Sequence, residues 1–313
     1  MSKFLHGCPP PSFVRVEGED ALDYLQSQLT IDLVKLGQDK IRYGLRLDKR
    51  GKTMAGMYVI KQNAESFWLI SRGSKANDLI SLIEENLVAD DVELIDESSG
   101  FFLITARGEG EQKILDRLGL KEPKRGEIER SGESIAFIDS RLPPTTYSII
   151  LRKDQKPQAM GDSKSMDWEM IEVPRIESCL VAIPEEIGAN DLPQEGNLEH
   201  DYIDFTKGCY LGQEVMARIH AMGNVRRKAY PIQFTSSMVP SLPCPLLKDG
   251  KKVGILKSAF KEKDGFIGMA ILHEKGFAVL GDNQIEIAET KIRIKDRQIV
   301  IIQNLYSKHS LRI

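Results

Sequence analysis

The spacing of apolar residues along the first half of the chain predicts short helices and strands in mixed order. Ala21, Leu22, Leu25 and Leu29 follow helical spacing, with acidic residues around the first turn. A longer helix is predicted over Lys75–Leu87, whose apolar face is suited to covering a sheet. Alternating apolar and polar positions predict successive strands over three ranges: 41–47, 53–60 and 66–70. Because the turns between them are short, these strands should form an antiparallel meander.

The later patterns lack the regular strand–helix alternation of a doubly wound sheet. Strands are predicted over residues 92–95, 101–106, 135–139 and 147–151, and a helix over 111–118. From residue 228 the chain changes to short strand candidates separated by turn pairs such as Asp249–Gly250. We therefore predict an α+β fold, with two α+β lobes in residues 1–227 that divide near residues 90–100 and a C-terminal β-barrel domain over 228–313.

Composition narrows the class of protein further. The 313 residues include 43 Lys and Arg against 46 Asp and Glu, so the net charge is -3. This charge gives no general attraction to nucleic acid or to an anionic membrane, and neither is predicted as a partner. No apolar run reaches the roughly 20 residues that cross a bilayer, and the first residues lack a signal-peptide core, so a cytoplasmic protein is expected. The four cysteines lie far apart without metal-site spacing, and no metal site is predicted.

The segment Lys207–Glu214, with the sequence KGCYLGQE, concentrates groups that can do chemistry. Cys209 lies two residues from Lys207, between glycines that let the backbone approach a ligand closely. An ammonium nearby and a helix beginning near Gln213 would both favour the thiolate, which is the reactive form of cysteine. We therefore predict that Cys209 is a reactive thiol and Lys207 its electrostatic partner. The alternative is a small buried hydrophobic side chain, as for most cytosolic cysteines.

This segment resembles the signature of the YgfZ family of folate-binding proteins, which are relatives of the glycine-cleavage T-protein (GcvT), an aminomethyltransferase. Further segments resemble that superfamily in the same order: Tyr24–Asp32, Leu47–Lys52, Arg175–Glu177 and Pro193–Glu195. The resemblance covers nearly the whole chain. It implies a GcvT-like ring of lobes ending in a β-barrel, with tetrahydrofolate in the central opening. Within the signature, Tyr210, Gln213 and Glu214 are then expected to contact the folate.

Two other polar segments are candidates for holding such a ligand. In an extended segment Arg175 and Glu177 would share one face. The arginine would bind a carboxylate and the glutamate would accept two N–H bonds from an aminopyrimidine edge, which are the two polar ends of a folate. The alternative is a surface ion pair of little energetic value. Gln194 and Glu195 supply either a second carboxylate for the same pocket or an ordinary turn, and the sequence does not rank Glu177 above Glu195.

The resemblance also implies a function. YgfZ proteins are associated with the assembly or repair of iron–sulfur clusters, so the implied partners are iron–sulfur client enzymes, including tRNA-modification enzymes, or assembly proteins. T-proteins carry an acidic pair after the glycine turn, where an aspartate handles the folate nitrogen, but Gly51–Met57 contains no acid. Two alternatives remain: a folate-dependent aminomethyl or one-carbon transferase or demethylase that uses another acid such as Asp48, and a binding module whose Cys209 is inert.

Overall fold

Three β-sheets and six α-helices make up the part of the chain that the computed structural model describes. The described residues are 3–6, 11–107, 111–143, 145–156, 159, 164–223, 225–234, 238–248, 250–263, 265–273, 286–287 and 300–301. The strands are β1 Lys3–His6, β2 Ser12–Glu17, β3 Ile41–Leu47, β4 Thr53–Lys61, β5 Ser66–Ser71, β6 Glu93–Asp96, β7 Phe101–Arg107, β8 Ile128–Ser131, β9 Ser134–Ile138, β10 Tyr147–Arg152, β11 Lys164–Ser165, β12 Arg227–Phe234, β13 Cys244–Lys248, β14 Lys251–Glu262, β15 Gly265–His273, β16 Glu286–Ile287 and β17 Val300–Ile301. The helices are α1 Ala21–Gln28, α2 Ala76–Glu84, α3 Glu111–Leu118, α4 Glu169–Glu177, α5 Glu199–Tyr202 and α6 Gln213–Met222, and short 3-10 helices span Lys153–Gln155 and Pro193–Gly196.

The first sheet has five antiparallel strands in the order β3-β4-β5-β2-β6. The predicted meander is therefore confirmed as β3-β4-β5. Helices α1 and α2 cover one face, where Leu25, Leu29 and Ile83 are fully buried in one core cluster. On the opposite face, Ile60 and Ile70 pack in a second cluster with residues of the next sheet.

The second sheet has six strands in the order β11-β1-β7-β10-β9-β8. All its neighbours are antiparallel except β1 and β11, which pair in parallel. Helix α3 packs on one side through Ile114 and Leu115, and Phe137 on the other side joins the cluster shared with the first sheet. The two lobes therefore bury their sheets against each other.

Residues between these lobes and the C-terminal sheet differ from the prediction in one important place. The expectation of an extended segment at Arg175–Glu177 is wrong, because these residues end helix α4. Ile171, Glu172, Arg175 and Ile176 are all buried, and their spacing follows one helix face. Two residues along a helix is more than half a turn, so Arg175 points inward while Glu177 is exposed.

The third sheet is C-terminal and has six antiparallel strands in the order β16-β13-β14-β15-β12-β17. Long pairs join β12 to β15 and β14 to β15, and the α4 helix packs against β14 and β15. Within the described residues the edge strands β16 and β17 do not pair with each other, so closure into a barrel stays a prediction. Among the short strand candidates predicted after residue 228, the one over residues 291–294 lies outside the described residues. The fold as a whole is α+β, with mainly antiparallel sheets and few helices.

Candidate functional site

A cavity of about 410 Å³ lies where the three sheets meet. Its lining is mainly apolar with a few buried charged groups, as is typical of small-molecule sites. It takes side chains from β3, β4, the ends of β5 and β9, α4, the turn 181–186 and β14: Tyr43, Tyr58, Ile70, Arg72, Arg141, Trp168, Glu172, Arg175, Ile183, Glu186, Ser258 and Phe260 among others. Because every structural unit contributes, a ligand here would contact both lobes and the C-terminal sheet.

One wall of the cavity is a fully paired ionic cluster around Arg175. Its guanidinium donates to Glu172 at 2.6 and 2.9 Å and to Glu186 at 2.8 and 2.9 Å, and also to the backbone oxygen of Leu180. Ser258 of β14 donates to Glu186, which fastens the cluster to the C-terminal sheet. Burial raises the pKa of Glu172 above its ordinary value, while Arg175 opposes that shift. We call this group the paired wall.

A second group of charged residues in the cavity is built around Arg141 and Arg72. Asp139 is fully buried and accepts hydrogen bonds from Tyr58 Oη at 2.6 Å, Arg72 Nη2 at 2.9 Å and the Arg141 backbone nitrogen at 3.0 Å. The Arg141 guanidinium itself lies over the Tyr43 ring at 5.0 Å and the Tyr202 ring at 4.8 Å. We call this group the open wall.

Lys207 of the signature has its partners inside the first lobe. Its Nζ donates to the backbone oxygens of Gln26, Leu29 and Ile31 at 2.6, 2.7 and 2.9 Å. These carbonyls lie at and beyond the end of α1, where helix carbonyls lack intrahelical partners. Burial lowers the pKa of Lys207 to about 8, so the amine is still charged at neutral pH. Lys207 was predicted to be the electrostatic partner of the thiol, but the structure directs its ammonium to the end of α1.

Cys209 is exposed, and helix α6 begins four residues later at Gln213 with Gly212 in the left-handed conformation. Of the other cysteines, Cys179 is half-buried and Cys244 is buried, while Cys8 lies outside the described residues. Cys209 does not line the cavity. The thiol is therefore exposed and not the small buried side chain of the alternative, but it lies outside the cavity lining.

The remaining signature residues divide between core and surface. Tyr210 is buried, burial raises its pKa to about 12, and it packs in the same core cluster as Tyr202 and Ile183. Gln213 is half-buried and Glu214 is exposed. Tyr210 therefore connects the signature to the cavity through packed side chains.

Gln194 and Glu195 are buried in the 3-10 helix that precedes α5 and do not line the cavity. Glu195 forms a two-point ion pair with Arg227 at 2.7 and 3.0 Å. Gln194 Nε2 contacts Met216 Sδ at 3.3 Å. Of the nine residues predicted for the site, only Arg175 lines the cavity, and the carboxylates there are those of Glu172, Glu185 and Glu186 instead of Glu177 or Glu195.

Comparison with known proteins agrees with this architecture. The GCVT N-terminal domain model matches residues 12–128. The "tRNA-modifying protein YgfZ" of Hamiltonella defensa is 26% identical over 266 residues, covering 80% of this chain and 77% of the relative. The protein of the same name from Yersinia pestis is 25% identical over 300 residues, covering 91% of this chain and 86% of the relative. The chain is thus similar over most of its length to YgfZ proteins, and its residues 12–128 match the GCVT N-terminal domain.

A solved structure supports the fold of this chain. Glycine cleavage system aminomethyltransferase T from Bartonella henselae superposes with a TM-score of 0.78 at 15% identity, covering 97% of this chain and 85% of that one. This match concerns the fold alone.

In the described residues, no helix is long and apolar enough to cross a membrane.

The stretch Gly51–Met57, which contains no acid, lies next to a residue of the cavity lining. Ala55 and Gly56 are buried in β4. A Cβ atom added at Gly56 would collide with the hydroxyl of Tyr43, which lines the cavity. Tyr43 therefore fills the space that a side chain at position 56 would need.

Sequence reasoning missed most of the cavity residues, including Tyr43, Tyr58, Arg72, Arg141 and Glu172. The sequence did contain a usable signal. Arg72 comes directly after the buried strand β5, and Asp139 and Arg141 follow the buried strand β9. Charged residues just beyond apolar strands often mark a site on a rigid scaffold. Their meeting at one cavity required the pairing of the two lobes.

Proposed function

We propose that this chain binds tetrahydrofolate or a related reduced folate in the central cavity and supports assembly or repair of iron–sulfur clusters in client enzymes. The observation that carries the proposal is the cavity itself, with charged groups on two walls and an apolar lining. The naming of the relatives as tRNA-modifying proteins supports a role in tRNA modification. We expect that role to run through client proteins, because a net charge of -3 offers no general attraction to tRNA.

The residues of the cavity fit the chemistry of a folate. An aminopyrimidine edge presents N–H donors, and the paired wall holds an excess of carboxylates, with Glu172 and Glu186 around one arginine. Aromatic side chains such as Tyr58 and Trp168 offer apolar contact to a ring system. We therefore assign the pterin contact to the paired wall, with Arg175 positioning its carboxylates.

The other predicted binding residues are given supporting roles in this proposal. Glu195 and Gln194 hold the 3-10 helix next to β12 and α6, and Tyr210 transmits packing from the signature to the cavity. Gln213, Glu214 and Glu177 lie toward the surface. We propose that Gln213 and Glu214 border the surface that a client meets beside Cys209.

Cys209 is proposed as the reactive thiol. It is exposed on the segment before α6, so a partner molecule can reach its sulfur. Because the thiol is outside the cavity, it can meet a partner protein while folate is bound.

Ligand binding tests the first half of the proposal. Calorimetric titration with 5-formyltetrahydrofolate should give saturable one-to-one binding to the native chain. Ala182→Trp, which fills the cavity at a lining position, should abolish it, whereas Ala221→Trp on the exposed face of α6 should leave it intact. Equal binding by both variants would place the ligand elsewhere, and no binding to the native chain would refute folate as ligand.

Function in cells tests the second half. Cys209→Ser should lower the activity of iron–sulfur tRNA-modification enzymes in a strain that depends on this chain, while Cys244→Ser, at a buried position, should not. Both variants must first show native thermal unfolding. Unchanged enzyme activity with Cys209→Ser would end the thiol role, and steady turnover of methylated amines with tetrahydrofolate would favour the transferase alternative.

A further inference from the structure

The open wall contains a buried positive charge without a carboxylate partner among the described residues. Arg141 is 7% exposed, and its guanidinium stays charged at any physiological pH. Its Nη2 donates to the backbone oxygen of Val181, but its Nη1 is buried without a hydrogen-bond acceptor in the described structure. A buried charge of this kind is costly unless an anion compensates it.

The carboxylate of Asp139 is already occupied by other donors. The only atom of Arg141 that donates a hydrogen bond to Asp139 is its backbone nitrogen. The oxygens of Asp139 also accept hydrogen bonds from Tyr58, Arg72 and Ser148. The guanidinium carbon of Arg141 also lies over the Tyr43 and Tyr202 rings, at 5.0 and 4.8 Å from their centroids. Contact with these two rings restrains the guanidinium, and Nη1 still has no acceptor among the described residues.

A second unused donor lies on the same wall. Nε of Arg72 is buried without an acceptor, although its Nη2 donates to Asp139, Ser148 and Thr105. Arg72 and Arg141 both line the cavity and both contact Asp139. Arg175 differs, because two carboxylates and a backbone oxygen use its donors.

From this arrangement we infer that the open wall is a carboxylate subsite of the cavity, in which Arg141 Nη1 and Arg72 Nε donate to one anionic group. The inference rests on the proposed function for the identity of the larger ligand. Two sources of the carboxylate share this chemistry: the glutamyl end of the folate itself, and a separate small carboxylate bound beside it. Paired N–H donors match the two oxygens of such a group.

The test compares 5-formyltetrahydrofolate with the same compound carrying both glutamyl carboxyls as amides. Each is titrated calorimetrically into the native chain, Arg141→Met, Arg141→Lys and the matched surface control Arg152→Met, with and without added acetate. If the folate supplies the carboxylate, the native chain should bind the acid about ten- to a hundredfold more tightly than the bis-amide. Arg141→Met should bind both forms alike, Arg141→Lys should keep part of the preference, and Arg152→Met should behave as native.

If a separate small carboxylate is the source, acetate should strengthen binding of the bis-amide to the native chain but not to Arg141→Met. The subsite is refuted if the native chain binds acid and bis-amide equally with no effect of acetate, or if Arg141→Met keeps the preference for the acid. In those cases folate binding itself still stands. Absence of any binding to the native chain would instead refute the proposed function and the subsite together.

Discussion

The two walls of the cavity hold their buried arginines in opposite ways. Arg175 is paired with Glu172 and Glu186, whereas Arg141 contacts two tyrosine rings and, among the residues that the structure describes, no carboxylate. The same side chain can therefore serve stability in one wall and remain available to a ligand in the other. What decides between the two roles is whether the fold supplies the counter-charge.

The largest difference should appear when each charge is removed. Arg175→Met leaves two buried carboxylates without their partner and should lower the free energy of unfolding by about 3–5 kcal/mol. Arg141→Met removes an uncompensated charge and should cost about 1 kcal/mol or less. Urea unfolding of both variants beside the native chain measures the contrast. Equal losses would show that the two walls do not differ in this way.

A smaller loss is expected where the signature is fastened to the first lobe. Lys207→Met leaves three backbone oxygens without their donor and should lower the free energy of unfolding by about 1–3 kcal/mol. Lys49→Met in the exposed turn after β3 is the matched control and should change it by less than about 0.5 kcal/mol. If the two lysine variants have the same free energy of unfolding, Lys207 does not fasten α1. That result would instead favour a direct role of Lys207 at the thiol.

The pH dependence of stability should have opposite signs at the two walls. Burial raises the pKa of Glu172, so the folded state holds this proton more tightly than the unfolded state does. The contribution of this proton to the free energy of unfolding is complete below the ordinary pKa of a glutamate. It is lost as the pH rises through the pKa of Glu172 in the folded state. The stability of the native chain relative to Glu172→Gln should therefore fall as the pH rises above about 4.5, by at most about 1.4 kcal/mol per pH unit.

At the open wall, Asp139 gives the matched experiment. Burial alone would raise its pKa, but Arg72 and the hydroxyls of Tyr58 and Ser148 lower it below its ordinary value. Its contribution is then present above about 3.8 and lost as the pH falls through the folded pKa. The stability of the native chain relative to Asp139→Asn should rise with pH over that acidic range. Unfolding curves from pH 2.5 to 7 that show the same sign for both pairs would contradict the contrast.

The smallest effect concerns the end of the helix that carries the paired wall. Cys179 follows α4 with φ of 57°, a left-handed conformation that glycine adopts without strain. Cys179→Gly should raise the free energy of unfolding by about 0.5–1 kcal/mol, since relief of strain exceeds the added freedom of the unfolded chain. Cys244→Gly, in a strand, should destabilise instead. Thermal unfolding of the two variants checks the sign.

Local patterns predicted much of the fold. Periodicity located α1, α2 and the strands β3 to β5 within a few residues, because each of these elements buries one regular face. The end of α4 was expected to be extended at Arg175–Glu177, because that expectation ignored the helical spacing of Ile171, Glu172 and Ile176.

The candidate site was harder to predict from the sequence. The signature was predicted to be the site because it is dense in polar residues. In the structure, Lys207 binds the end of α1 and Tyr210 packs in a core cluster. The cavity is instead assembled from single residues on separate elements, such as Tyr43, Arg72 and Arg141. Nothing local marks their convergence, because it arises from the pairing of sheets far apart in the chain.

The central claim is that a reduced folate binds between the two walls. A crystal structure of the chain with 5-formyltetrahydrofolate tests this directly. The account predicts density for the pterin against Glu172 and Glu186 and for a carboxylate within hydrogen-bond distance of Arg141 Nη1. A ligand bound outside the cavity, or the reverse orientation with the pterin at Arg141, would contradict it.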